Sequence, residues 1–127
     1  MTEFQKIVTN LESIAKVLDR PVDPADAVGL SEKMHDLISI SSLAADCIAR
    51  SLSVMHQRLQ KETEKLLEQP NPPSANVLRD LSKAKAHVEI GLNLKCEEIN
   101  KYVRVGIDGL RTSISLYKEE MHNNLQQ

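Results

Sequence analysis

The chain has no tryptophan, one phenylalanine and two tyrosines. Any core it forms is therefore built from Leu, Ile, Val, Ala and Met, a supply that suits extended helical packing better than the aromatic-anchored core of a β-sandwich. Cysteine is equally scarce: Cys47 and Cys96 stand alone, without CxxC spacing. That excludes a disulfide framework and fits a reduced, cytoplasmic setting. An excess of one charge is also missing, since the formal net charge is −2, which argues against a dedicated polyanion binder. There is no N-terminal apolar leader and no uninterrupted apolar run of membrane-spanning length, so the chain reads as soluble, unprocessed and without a membrane partner. Its 127 residues suffice for one domain.

What is present is helical periodicity. Thr2 and Gln5 have capping-box spacing, and Phe4, Ile7, Val8, Leu11, Ile14, Ala15 and Leu18 recur at helical intervals, predicting a helix over 3–18. Asp19-Arg20-Pro21 stops it. A long helix follows to residue 68, starting at 24 with Asp23 as N-cap or at 31 after a break near Gly29. Its stripe runs through Leu30, Met34, Leu37, Ser41, Ala45, Ile48, Leu52, Met55, Leu59, Glu62 and Leu66. The proline-rich segment 69–74 forms a turn, and Ser74 can cap the next helix.

The stretch "VRVGIDGL", residues 103–110, admits two readings. Val88, Ile90, Leu92, Leu94 and Cys96 alternate, as do Val103, Val105 and Ile107, and Asp108-Gly109 suits a hairpin turn, so a β-meander over 87–117 is one. A helix over 75–122 is the other. It places Leu78, Leu81, Val88, Leu92, Cys96, Ile99, Val103, Gly106, Leu110, Ile114, Tyr117 and Met121 on one arc, and that phase persists through the supposed turns. Persistence of phase favours helix. Gly91, Gly106 and Gly109 then each cost about 1 kcal/mol against alanine. Close approach to a small patch formed by Ala44, Ala45 and Ala49 would offset this.

The sequence thus predicts an all-α protein: a long antiparallel, coiled-coil-like helical hairpin with a short N-terminal helix. Folding about the prolines sets Leu66 near Val77, Leu52 near Gly91 and Leu37 near Gly106. The short first helix is expected over the open end, burying Val105 and Leu116. Leu43, Cys47, Val54, Ile90 and Leu94 would remain as an apolar patch. Homo-oligomerisation, most simply a two-fold dimer making a four-helix bundle, or a protein partner would bury that patch.

Specific chemistry is thin. Glu32 with His35, and Glu119 with His122, echo the Glu-x-x-His spacing of di-metal bundles, but both pairs project away from the apolar stripes. His56 and His87, like Cys47 and Cys96, fall at similar heights in the hairpin yet at different wheel positions, so no metal site is predicted. Neither a catalytic residue nor a cofactor is expected, and the chain reads as a non-enzymatic scaffold, adaptor or inhibitor. Arg58, Lys61, Lys65, Arg79, Lys83 and Lys85 cluster near the proline-rich tip, where they offer phosphate contacts to a nucleic acid. Glu62, Glu64, Glu68 and Asp80 are interleaved with them, and base-stacking aromatics are absent there. Charge is mildly polarised, with 8 acidic and 4 basic residues up to position 46 and 10 acidic and 12 basic beyond it.

Overall fold

A computed structural model describes residues 1–126, which form four helices packed together: α1 (Glu3–Asp19), α2 (Ala27–Leu67), α3 (Ala75–Lys85) and α4 (His87–Gln126). No strand occurs among the described residues, and 103–110 lie inside α4. The meander is excluded, because helical phase carried through Asp108-Gly109 is incompatible with a reversal there.

Local chemistry accounts for the helix ends. The Thr2 hydroxyl accepts from the Gln5 amide at 3.1 Å, and the Gln5 side chain accepts from the Thr2 amide at 2.9 Å, completing the capping box. At the other end of α1, the Lys33 ammonium donates to the Leu18 and Arg20 carbonyls at 3.1 and 2.6 Å, satisfying oxygens the helix leaves open. Helix α2 starts at neither expected position. Asp26 is its N-cap, accepting from the Gly29 amide at 3.0 Å. Asp23 instead folds back onto the Ala25 amide, and Gly29 sits in the first turn without breaking the helix.

The third expected helix is two. Ala86, at φ −96° and ψ 14°, interrupts it, although bonds from Ala86 to Ser82 and from Ile90 to Ala86 bridge the joint. The His87 ring nitrogen Nδ1 lies 3.0 Å from the Ala84 carbonyl oxygen. With its proton on Nδ1, it donates to the carbonyl that the Val88 amide would use in an unbroken helix.

Contacts between α2 and the α3–α4 segment set the register: Leu37 against Gly106, Ser51 against Asn93 and Thr63 against Ser82. The two segments therefore run in opposite directions. Helix α1 lies antiparallel to α2, anchored by an Arg20–Asp36 ion pair at one end and a Glu3–Arg50 pair at 3.5 Å at the other. It buries Ile7, Leu11 and Ile14.

This placement of α1 changes the expected core. On α2 the buried line is Leu37, Ala44, Cys47 and Ser51, whereas Ala45 and Leu52 are exposed. Leu30, Leu37 and Glu62 are buried on the predicted stripe, but over 44–51 the buried line lies one residue earlier, because there α2 has two neighbours, α1 and α4, and its core face bisects them. On α4, Leu92, Cys96, Ile99, Val103 and Leu110 are buried as the stripe predicts, with Asn93 and Ile107 buried beside it, while Val88 and Met121 on that stripe are exposed.

The glycines do not meet small partners. A Cβ on Gly106 would lie 3.1 Å from Leu37 Cδ1, so this glycine makes room for a leucine. Gly91 and Gly109 face open space, with no atom within 4 Å of a Cβ. Gly91→Ala is expected to raise the unfolding free energy by about 1 kcal/mol, the helix-propensity difference alone. Urea titration checks this, and a neutral or negative effect would show that the backbone at this position is constrained by something the isolated chain lacks.

Candidate functional site: an apolar ridge on the outer face of α4

The expected interface residues separate. Cys47 is fully buried, because α1 covers the side of α2 on which it lies. Leu43 and Val54 are half-buried and pack against the core, and Ile90 is half-buried. Leu94 alone stays open, at 59% exposure. Conversely, α1 does not bury Val105 and Leu116, which remain 58% and 55% exposed. Of the residues expected at an interface or under α1, those that stay exposed are Leu94, Val105 and Leu116, all on α4.

These three follow from helix geometry. Eleven residues advance an α-helix by three turns and about 20°, so positions spaced by eleven form a single line about 33 Å long from first to third. That line lies opposite the α4 core positions Cys96, Val103 and Leu110, hence directly away from α2. Tyr102 flanks it, half exposed.

A second apolar surface lies on α2. By length and composition α2 would suffice to cross a membrane, and only 22% of its most apolar stretch is buried. No uninterrupted apolar run marks it in the sequence, because serines together with Asp46 and Arg50 break the segment. Ile38 and Leu52 are its exposed large residues, at 43% and 39%.

At the tip, a groove of about 270 Å³ opens between α2 and α3, lined by Leu59, Thr63, Ala75, Leu78, Arg79, Ser82 and Lys83. Of the six expected phosphate contacts, Arg58 and Lys65 are engaged by Glu62 at 3.2 and 3.7 Å. Lys61, Arg79, Lys83 and Lys85 have no carboxylate within ion-pairing distance among the described residues. Glu62, placed on the apolar stripe by its spacing, is nearly buried and held by these two cations.

No group of three or more His, Cys, Asp or Glu converges among the described residues. Glu32, His35, Glu119 and His122 are all exposed. Cys47 and Cys96 are closer in setting than their wheel positions suggest, since both are fully buried in one core. Burial first, then the neighbouring Cys96 and Asp46, push the Cys47 thiol from 9.0 up to about 11, with Arg50 opposing. Burial also raises Cys96, against a hydrogen bond to Ser51.

A raised folded pKa means that Cys47 contributes stability fully below pH 9 and loses it as pH rises toward 11. The loss is about 2–3 kcal/mol at 1.36 kcal/mol per unit. The stability difference between wild type and Cys47→Ala is therefore expected to shrink by that amount between pH 8.5 and 11. A constant difference in urea titrations across this range would remove the assignment.

No protein-family model matches this chain, and neither a curated protein nor a solved structure matches it.

Proposed function

We propose that this is a non-enzymatic, cytoplasmic interaction protein: a helical hairpin that works as a homo-oligomer and scaffolds, adapts or inhibits another macromolecule. The observation that carries this reading is the Leu94–Val105–Leu116 ridge. Its three large side chains are each more than half exposed, in line, on the side of α4 that none of the other three helices covers. Isolated exposed leucines are ordinary, but an aligned row on a rigid helix is the form in which helical proteins meet other helices. Association would leave the tip groove and the open end free for a further protein.

The test is solution mass by light scattering behind size exclusion, on wild type and Leu94→Glu. We expect an oligomer for the wild type and a folded, smaller species for the variant, because a charge would enter the contact at no cost to the core. A monomeric wild type at high micromolar concentration would remove self-association from the reading.

A second reading, an accessory protein on nucleic acid, is favoured by one observation: the cations at the tip that carry no carboxylate partner. Retardation of a DNA or RNA duplex at low salt, lost on joint reversal of Lys83 and Lys85 to Glu, would support it. No retardation of either duplex would dispose of it.

A further inference from the structure

We propose that the outer ridge of α4 is a self-complementary surface, on which a second copy of this chain packs antiparallel about a two-fold axis at Val105. The inference rests on the oligomeric reading above and adds the occupant, the orientation and the register. Closed dimers require that if position i meets position j, j also meets i. A ridge on one helix meets this condition only if its residues match across a centre.

Three features of α4 match across Val105. The apolar ends do so first: Leu94 and Leu116 lie eleven residues on either side, so each faces the other across an antiparallel pair while Val105 meets Val105. Charge comes second. Lys101 and Asp108 occupy one flank of the ridge at nearly equal distances from the centre, so each would face its opposite in the second chain, twice per dimer. Neither is committed within its own chain: Lys101 has no ion-pair partner among the described residues, and Asp108 has only a 3.8 Å contact with exposed Arg111. On the ridge itself no like charges face each other in this register. Size is third. On the opposite flank, half-exposed Tyr102 falls against Gly109 of the second chain, and Gly109 is open, with no atom within 4 Å of a Cβ. An exposed glycine inside a helix has no role in the isolated chain, whereas beneath a tyrosine it admits close approach.

In a parallel pairing each flank would meet the opposite flank of the second helix and the Lys101–Asp108 match would be lost, so this charge pairing forms only in the antiparallel arrangement. The resulting dimer sets α2, α4, α4 and α2 side by side, and keeps α1 and the tip groove of each chain clear of the contact.

Two measurements on the full chain test this. Val105→Cys places a thiol on the axis, where it can meet only its own copy. Mild oxidation should convert most of the variant to a disulfide-linked dimer, while wild type, whose two cysteines are buried, should stay unlinked. Lys101→Asp and Asp108→Lys should each weaken the dimer on the order of tenfold, since each reversal sets like charges together twice. The combined variant should regain wild-type affinity within about twofold, a recovery that a merely structural role for either residue would not produce. A wild-type dimer, with no linkage in the Val105→Cys variant and no recovery in the double charge variant, would overturn the register and leave the oligomeric reading standing. A monomeric wild type would overturn both, and would leave the ridge to a different protein.

Discussion

Leu37→Ala is expected to lower the unfolding free energy by about 3–5 kcal/mol, the upper part of the range for a buried leucine. Leu37 is 1% exposed and stands where α1, α2 and α4 meet. Its Cδ1 lies 3.1 Å from the position of a Cβ on Gly106, and Leu18 Cδ2 lies 3.9 Å from the same point. One wall of the resulting cavity is the α4 backbone at a glycine. A helix backbone does not sag into a void, and a glycine has no side chain to swing into it, so relaxation recovers little. Gly106→Ala is expected to be near neutral in the wild type, because a propensity gain of about 1 kcal/mol is offset by displacing the Leu37 methyl. In the Leu37→Ala background the same change should recover about 1–2 kcal/mol, since the gain stands unopposed and the new methyl refills part of the cavity. Urea titration of the four proteins gives the coupling. Simple additivity would show that Leu37 and Gly106 are not packed against each other.

The helical class was legible because α4 holds one phase for almost forty residues, and no alternation of strand type survives that test. The pairing of Leu37 with Gly106 was legible for a related reason: three prolines in a short segment fix where the chain reverses, and counting outward from a fixed reversal yields a register. Placement of α1 was not legible. Its stripe shows that Ile7, Leu11 and Ile14 must be covered, but which flank of α2 covers them depends on contacts made only in the assembled fold. Lys33 capping α1 and the Arg20–Asp36 pair are such contacts, each joining residues more than ten positions apart. The candidate site followed that placement. With α1 lying over Leu43 and Cys47, those residues left the exposed patch, while Val105 and Leu116 joined Leu94. Spacing by eleven along α4 was visible in the sequence, but its exposure was not. The break at Ala86 left no sequence signal, since alanine is the strongest helix former and the interruption rests on a histidine ring reaching one particular carbonyl.

Asn93→Asp, a change of one atom pair, is expected to destabilise the protein by about 3 kcal/mol at pH 7 and to be nearly harmless at pH 3. Asn93 is 6% exposed, and its Nδ2 donates to Ser51 Oγ at 3.0 Å and to the Ile48 carbonyl at 3.4 Å. Ser51 Oγ in turn donates to that same carbonyl at 3.0 Å. The arrangement closes only because Asn93 brings donors. A carboxylate brings none, so it would face the Ile48 oxygen directly, and the serine proton could satisfy one oxygen or the other but not both. Burial and this repulsion favour the neutral acid, raising its folded pKa above the usual carboxylate value of about 4. The sign follows: below the unfolded pKa the acid is protonated in both states and its stability is fully present, and that stability is lost as pH rises through the folded pKa. A deficit of about 3 kcal/mol corresponds to a folded pKa near 6 at about 1.36 kcal/mol per unit. The gap between wild type and variant should therefore open between about pH 4 and pH 6 and then stay level. Asn93→Leu separates packing from polarity. It leaves Ser51 bonded to Ile48 and should cost only about 1 kcal/mol, with no dependence on pH. A pH-independent deficit in Asn93→Asp would mean that water reaches this position and that the α2–α4 contact is open there.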